Sequence, residues 1–160
     1  MSSLIEVVFE NVAKSDVPQL LMTLVASAKQ IISTQCSEDI AIMDGDKLNT
    51  NILDSALNFE GNLTVLFNLQ ELKVGGIVLP KVLLRIIKYA DQYDIDFSFD
   101  ESEVENQNLM SLITELQSYA NKLANDYGIR SVFGGMEPAS DEETRYFTNE
   151  VLGPLAKQVG

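Results

Sequence analysis

The clearest hydrophobic pattern in the chain lies at residues 94–100, where apolar and polar residues alternate. The apolar set is Ile95, Phe97 and Phe99, and the polar set is Asp94, Asp96, Ser98 and Asp100. A period of two is typical of a half-buried strand, which has one face in the core and one in water. The same alternation predicts strands at residues 4–10 and 63–69. Acidic residues occupy the polar face of the first and last of these strands.

Two other stretches have apolar residues at spacings of three and four, which is the period of an amphipathic helix. The first begins after Ser15 and Asp16, which can cap a helix, and predicts a helix up to about residue 33. The second predicts a helix over residues 80–92. Between them, residues 40–43 predict a short strand that ends in a tight turn at Asp44, Gly45 and Asp46. Residues 47–61 are compatible with a short helix or a loop.

The last third of the chain reads as mainly helical. Capping-box patterns begin at Ser102 and at Ser140, and each predicts the start of a helix. Gly128 is a plausible stop for the first helix, and Gly153 with Pro154 for the second. A short strand is predicted between the two helices, at residues 129–133.

The predicted element order up to residue 100 is strand, helix, strand, strand, helix, strand. That order matches the ferredoxin-like β-α-β-β-α-β plan, so the expected fold class is α+β, with a ferredoxin-like core over residues 1–100 and additional C-terminal helices over residues 101–160 packed on it. One domain is expected over residues 1–160, because 160 residues with 46% hydrophobic composition suffice for one core. This plan places the first strand beside the fourth. Whether the C-terminal helices cover the open sheet face stays undecided.

Charge is the unusual property of the composition. The chain has 24 acidic and 11 basic residues, for a net charge of −13. Nucleic acid and anionic membranes are therefore disfavoured as partners, because both select cationic surfaces. A basic protein partner fits this charge, although acidity that serves solubility alone is an equally simple explanation.

Candidate chemistry is sparse. The chain has no histidine and one cysteine, Cys36, so histidine-dependent catalysis and a structural zinc site are not expected. Residues 44–51 superficially resemble a calcium loop, but Leu48 and Asn49 occupy positions that need a ligand and a glycine. No metal, no cofactor and no enzymatic activity are expected. The N-terminus lacks a signal-peptide pattern and no apolar run approaches 18 residues, so a cytoplasmic protein is expected.

Two groups of residues are candidates for partner binding. In the predicted topology, five carboxylates share the sheet surface that faces away from the first two helices: Glu6, Glu10, Asp94, Asp96 and Asp100. Their mutual repulsion would be relieved by a cationic partner. The second group follows Gly134-Gly135 and comprises Glu137, Asp141 and Glu142, with Tyr146 as an aromatic anchor. The alternatives are a solvated polar face for the first group and a helix lead-in for the second.

No residue motif assigns the chain to a family. In size and acidity it resembles the small acidic inhibitors of bacteria and their phages, including immunity proteins that neutralise a cationic toxin domain. This resemblance implies a non-enzymatic, protein-binding inhibitor that covers the basic site of a toxin such as a nuclease. The alternative is a self-associating structural or regulatory subunit, and a carboxylate-dependent enzyme is less favoured.

Overall fold

One large antiparallel sheet organises the protein. The computed structural model describes residues 4–44, 47–104 and 108–159. The strands of the sheet are β1 (Leu4–Glu10), β2 (Ala28–Cys36), β5 (Leu63–Val74), β6 (Ile77–Tyr89), β7 (Gln92–Asp100), β8 (Ser131–Met136), β9 (Arg145–Thr148) and β10 (Val151–Leu152). Their order across the sheet is β10-β9-β8-β1-β7-β6-β5-β2. The strands β3 (Met43–Asp44) and β4 (Lys47–Leu48) form a separate small hairpin.

Three helices cover one side of this sheet, which we call the inner face. They are α1 (Val17–Ala26), α2 (Thr50–Leu57) and α3 (Leu109–Asp126), and a short α4 (Pro154–Val159) follows at the C-terminus. The hydroxyl of Thr23 on α1 lies 2.7 Å from that of Tyr127, just after α3. Tyr119 of α3 meets Phe97 of β7 edge-on, with the ring centroids 6.4 Å apart. The helices and the sheet therefore share one core.

The core consists of inward-facing strand residues packed against the apolar stripes of the helices. Fully buried members include Phe9, Phe67, Leu84 and Phe97 from the strands and Leu20, Leu24 and Ile113 from the helices. Each such side chain contributes about 1.5–3 kcal/mol when it leaves water. The alternation along β1, β5 and β7 directs most of their apolar residues to the inner face and most of their polar residues to the opposite face.

The predicted ferredoxin-like fold class is wrong. The sheet has eight antiparallel strands, and three of them, β8, β9 and β10, come from the C-terminal region expected to pack as helices on the core. Of these three, β8 overlaps the short strand predicted over residues 129–133. Strand β8 pairs with β1 on the side away from β7, a position that a ferredoxin-like core would give to its third strand. The predicted neighbourhood of the first strand and residues 94–100 is confirmed, because β1 pairs antiparallel with β7 and Val8 lies opposite Asp96.

The helix predicted over residues 80–92 is instead strand β6. Val82, Leu84 and Ile86 are buried on the inner face, while Leu83 and Ile87 are half-buried on the other. Apolar residues on both faces satisfy helical and strand spacings alike, so periodicity cannot separate the two. The β-branched residues and the pairing with β5 and β7 favour the strand.

The first helix is shorter than predicted. α1 ends at Ala26, and the chain continues at once as β2, which pairs with β5. Ile31, Ile32 and Thr34 are β-branched, which favours an extended backbone. The strand predicted over residues 40–43 yields only the short β3, and the ambiguous stretch after it contains α2. Gly45 and Asp46 of the predicted turn, and Glu105 of the predicted capping box, lie outside the described residues.

The helix predicted from Ser140 is also wrong. Glu142–Thr144 forms one 3-10 turn, and β9 and β10 follow it. The glycine pair belongs to β8, where it allows β9 to approach closely: a Cβ on Gly134 would lie 2.6 Å from the Phe147 ring, and one on Gly135 2.2 Å from the carbonyl oxygen of Thr144.

Across the described ranges, no helix has the length and apolar content to cross a membrane.

A buried lysine fastens α2 to the inner face. Lys88 of β6 is 7% exposed, and its ammonium donates to the carbonyl oxygens of Leu57 and Phe59 at the C-terminal end of α2. The hydroxyl of Tyr93 donates to the same Leu57 oxygen at 2.8 Å. In the described part of the chain no carboxylate forms an ion pair with Lys88. The negative end of a helix dipole suits this cation.

We predict that Lys88→Met lowers the free energy of unfolding by about 1–3 kcal/mol, because the Phe59 carbonyl then loses a charged donor. Urea denaturation measures this change. Lys81→Met, at an exposed position of the same strand, is the matched control and is expected to stay within about 0.5 kcal/mol of the original protein. Equal stability of the two variants would show that the α2 contact contributes nothing.

Candidate functional site

The sheet surface that faces away from α1, α2 and α3 carries most of the predicted site, and we call it the open face. Its outward positions run across neighbouring strands: Glu6 and Val8 of β1 lie beside Ser98 and Asp96 of β7, and Asp96 lies beside Arg85 of β6. Leu66 and Asn68 of β5 continue the surface beyond β6. The strand register therefore places Glu6 and Asp96 on one surface, as the sequence predicted.

An ion pair lies at the centre of the open face. The Arg85 guanidinium donates from Nε and Nη2 to the two carboxylate oxygens of Asp96, at 2.8 and 2.6 Å. Asp96 is 3% exposed. Burial raises the pKa of Asp96, and the Arg85 guanidinium opposes that rise, while the hydrogen bond to Asp96 raises the pKa of Arg85. This carboxylate is committed to an internal partner and is not free to meet another protein.

Glu6 is also buried, beneath the segment that leads into β9. Its Oε1 accepts a hydrogen bond from the backbone N–H of Ala139 at 2.8 Å. Val8, Phe133 and Ala139 form a small apolar cluster beside it. Burial raises the pKa of Glu6, the Ala139 hydrogen bond opposes this, and the nearby charges of Asp96 and Glu137 add to the rise. Glu6 therefore fixes the position of this segment.

Arg145 holds the same segment, residues 137–144, from the other side. Its guanidinium lies 4.0 Å from the centroid of the Phe133 ring and donates to the carbonyl oxygens of Ala139 and Ser140. A third hydrogen bond reaches the Thr148 hydroxyl at 3.2 Å. Sequence reasoning missed Arg145, although it is the only base in an acidic stretch, residues 137–150, and that isolation is the signal that could have found it.

This clamp places three predicted acids at the surface. Glu137, Asp141 and Glu142 are all exposed. The carboxylate of Glu137 lies close enough to act on the pKa values of Glu6, Arg85 and Asp96. The clamped segment therefore forms an acidic rim over one end of the open face, and we use the name acidic rim for residues 137–144.

Asp94 and Glu10 lie at another edge of the open face, around Tyr89. Asp94 accepts hydrogen bonds from the backbone N–H of Asn11 at 2.8 Å and from the Tyr89 hydroxyl at 3.1 Å. Burial raises the pKa of Tyr89, and the charges of Asp94 and Glu10 raise it further. Asp94 is half-buried and Glu10 is exposed, so both carboxylates can be reached from solvent.

Two predicted residues have roles that the sequence did not suggest. Asp100 caps the 3-10 turn Glu101–Glu103 by accepting from the N–H and the hydroxyl of Ser102, and these hydrogen bonds lower its pKa. Tyr146 is 5% exposed in β9, and burial raises its pKa. The structure therefore does not present Tyr146 as a surface anchor. Asp100 lies at the opposite end of β7 from Asp94, and its partner in β1, Leu4, accepts a hydrogen bond from the N–H of Glu137 at the start of the acidic rim.

A concave groove occupies the end of the open face near Asp100, and sequence reasoning did not find it. Its volume is about 1150 Å³. Five strands, β1, β2, β5, β6 and β7, and the 3-10 turn Glu101–Glu103 contribute to it, and its side chains include Leu4, Ile32, Val78, Leu83, Asp100 and Glu103. We call this the β5–β7 groove. Because its residues come from distant parts of the chain, no local pattern marks it.

We predict that Asp96→Asn lowers the free energy of unfolding by about 1.5–3 kcal/mol, since it leaves the Arg85 guanidinium with a weaker acceptor. A double-mutant cycle with Arg85→Gln, measured by urea denaturation, isolates the pairwise energy. The double variant is expected to lose less than the sum of the single losses. Strict additivity would mean that the two side chains act independently.

The raised pKa of Glu6 leads us to predict that the stability of the protein depends on pH. Its pKa is raised in the folded state, so the folded protein binds the proton more tightly and ionisation of Glu6 opposes folding. The contribution of Glu6 is therefore present at low pH and is lost as pH rises through the raised pKa. We expect Glu6→Gln to gain stability relative to the original protein at pH 7.5, and this gain to shrink toward pH 4.

The control for this pH series is Glu10→Gln, which removes the same charge from an exposed position of the same strand. Thermal unfolding from pH 4 to pH 8 provides the measurement. A stability difference between Glu6→Gln and Glu10→Gln that does not change with pH would contradict the assigned role of burial.

The chain is similar to known immunity proteins in both sequence and structure. Residues 3–152 match the family model described as PABL017 Cdi1I immunity protein. No curated protein matches the chain. Among solved structures, it is similar to the immune protein in a crystal structure of the toxic C-terminal tip of CdiA from Pseudomonas aeruginosa in complex with immune protein. That similarity has a TM-score of 0.85 and 36% sequence identity, and it covers 97% of this chain and 99% of that chain.

These matches confirm the prediction of an immunity-type, protein-binding inhibitor. The family model covers well over half of the chain, and the structural match extends over nearly all of it. The eight-stranded sheet and its open face therefore belong to an established kind of inhibitor. The chain is a member of the PABL017 Cdi1I immunity protein family.

Proposed function

We propose that this chain binds the toxic C-terminal tip of a CdiA-type protein and neutralises it by forming a stoichiometric complex. The observation that carries the proposal is the match over 97% of the chain, at 36% identity, to an immune protein crystallised with such a tip. The action is steric and electrostatic, and no reaction is catalysed. We place the complex in the cytoplasm.

The charge distribution supports a cationic toxin surface as the target. The chain carries a net charge of −13. Glu10, Glu137, Asp141 and Glu142 are exposed around the open face, and Asp94 is half-exposed near Glu10. Acids held on a rigid scaffold accelerate encounter with a basic partner and orient it. A nuclease tip would be such a partner, because it needs a cationic surface for its own substrate.

The buried carboxylates have a different proposed role from the exposed ones. Glu6 and Asp96 are occupied by Ala139 and Arg85, so they position the surface without touching the toxin. Tyr146 supports β9 from within. The proposed contact set accordingly consists of the acids that solvent can reach, together with Asp100 at the β5–β7 groove: Glu10, Asp94, Glu137, Asp141 and Glu142.

We predict tight 1:1 binding between this chain and the CdiA tip of the cell that carries it, with association that slows steeply as salt rises. The triple variant Glu10→Gln, Glu137→Gln and Glu142→Gln should reduce the association rate constant about tenfold at low salt, because it removes three charges that steer the encounter. Stopped-flow mixing or biolayer interferometry measures this rate across a series of salt concentrations.

The matched control neutralises three acids away from the open face, by Asp16→Asn, Asp54→Asn and Glu60→Gln. It changes the net charge equally, so it separates a local surface from a whole-molecule effect. The proposed surface would be wrong if both triple variants slowed association alike. Absence of any complex with the original protein, at low salt and micromolar concentrations, would overturn the proposed function itself.

A further inference from the structure

The β5–β7 groove collects apolar side chains that the core leaves unused. In the described part of the chain six large apolar side chains are exposed: Leu4, Ile32, Val78, Tyr89, Val151 and Leu152. The first three all line the groove, where the half-buried Leu83 joins them. Ile32 is 59% exposed and Val78 is 45% exposed. Contiguous exposed apolar surface of this kind marks an interaction site more often than scattered single residues do.

The dimensions of the groove favour a polypeptide as its occupant. Its volume of about 1150 Å³ lies just above the roughly 300–1,000 Å³ of small-molecule pockets, and its lining extends across five strands. Its uncharged polar lining consists of amide and hydroxyl groups on Asn68, Gln70, Ser33 and Ser98. The Asn68 amide donates one hydrogen bond to the Ser33 hydroxyl, and the Gln70 oxygen accepts one from Gln30. Such groups can pair with a peptide backbone, while the apolar residues receive a side chain. These properties are those of the well-packed centre of a protein interface.

The charge of the groove favours a toxin over a second copy of this chain as its occupant. Asp100 and Glu103 line the groove together with Glu71, which forms an ion pair with Lys29 at 3.4 Å, and Lys81 is the one base among the lining residues that the structure describes. A two-fold dimer would bring the same patch of both copies together, so these acids would face one another in a chain whose net charge is already −13. A basic partner meets the opposite situation, because its cations would pair with the acids around its apolar contact.

We infer that the β5–β7 groove takes an apolar anchor of the toxin, a large aliphatic or aromatic side chain on a segment flanked by basic residues. This inference rests on the proposed function and adds a second part to the interface. The exposed acids around the open face set the rate of association, while the groove sets the lifetime of the complex. Apolar anchors in desolvated pockets dominate the energy of most interfaces, and their loss acts mainly on dissociation.

The test measures the dissociation rate constant of the complex between this chain and the CdiA tip. The double variant Ile32→Ala and Val78→Ala should raise that constant at least tenfold and leave the salt dependence of association unchanged. Both side chains are exposed, so the unfolding temperature should not move. The matched control is Val151→Ala with Leu152→Ala, which truncates equally exposed apolar residues on β10, at the opposite edge of the sheet from β2.

The possible outcomes distinguish a failure of the groove inference from a failure of the proposed function. If the original protein binds the tip and the groove variant dissociates at the same rate as the control variant, the groove inference is wrong while the proposed function stands. A groove variant that changes only the oligomeric state in sedimentation would assign the groove to a second copy and likewise overturn it. If the original protein does not bind the tip, both proposals fall together.

Discussion

The register between β1 and β7 is the constraint on which the rest of the molecule depends. Val8 faces Asp96 and Leu4 faces Asp100, so Phe9, Phe97 and Phe99 enter the core together. A shift of one residue in either strand would exchange the faces and bury the carboxylates under the helices. The burial of apolar residues thus fixes the position of the acids. A surface of this composition is a by-product of the same pairing that stabilises the sheet.

The acids on that surface then divide into two physical kinds. Glu6 and Asp96 are desolvated, and each is retained because a specific donor compensates it. They connect the sheet to the segment at residues 137–144, whose other side is held by Arg145 and Phe133. The exposed acids keep their water and act over a distance. Removing a buried acid alters the scaffold, whereas removing an exposed acid alters only the field around it, and an interpretation of variants has to respect that difference.

The sequence predicted the parts of the fold in which one face is apolar and the other polar. Residues 4–10, 63–69 and 94–100 are strands as expected, and Glu6 and Asp96 share a face as expected. It failed at β6, where Leu83 and Ile87 add apolar residues to the second face and imitate a helix. The sequence-based prediction also failed at β9. The residues after Asp141 form a 3-10 turn whose sequence resembles the start of a helix, and the strand that follows depends on the close packing of Phe147 on Gly134. The groove could not be predicted, since residues as distant as Leu4, Val78 and Glu103 meet only in the folded sheet.

Acidity alone would make a poor immunity protein, because every cationic surface in the cell is attracted to it. Discrimination requires contacts that are favourable with one partner and unfavourable with others, and long-range charge provides little of this. The β5–β7 groove has the properties that charge lacks: a fixed shape, apolar side chains and backbone-pairing groups between them. A wrong basic protein could be drawn to the acidic rim, but it would leave the apolar side chains of the groove without a partner, and it would soon dissociate. Selectivity for one toxin is therefore expected to reside in the groove and speed of capture in the exposed acids, so that the two properties can change independently.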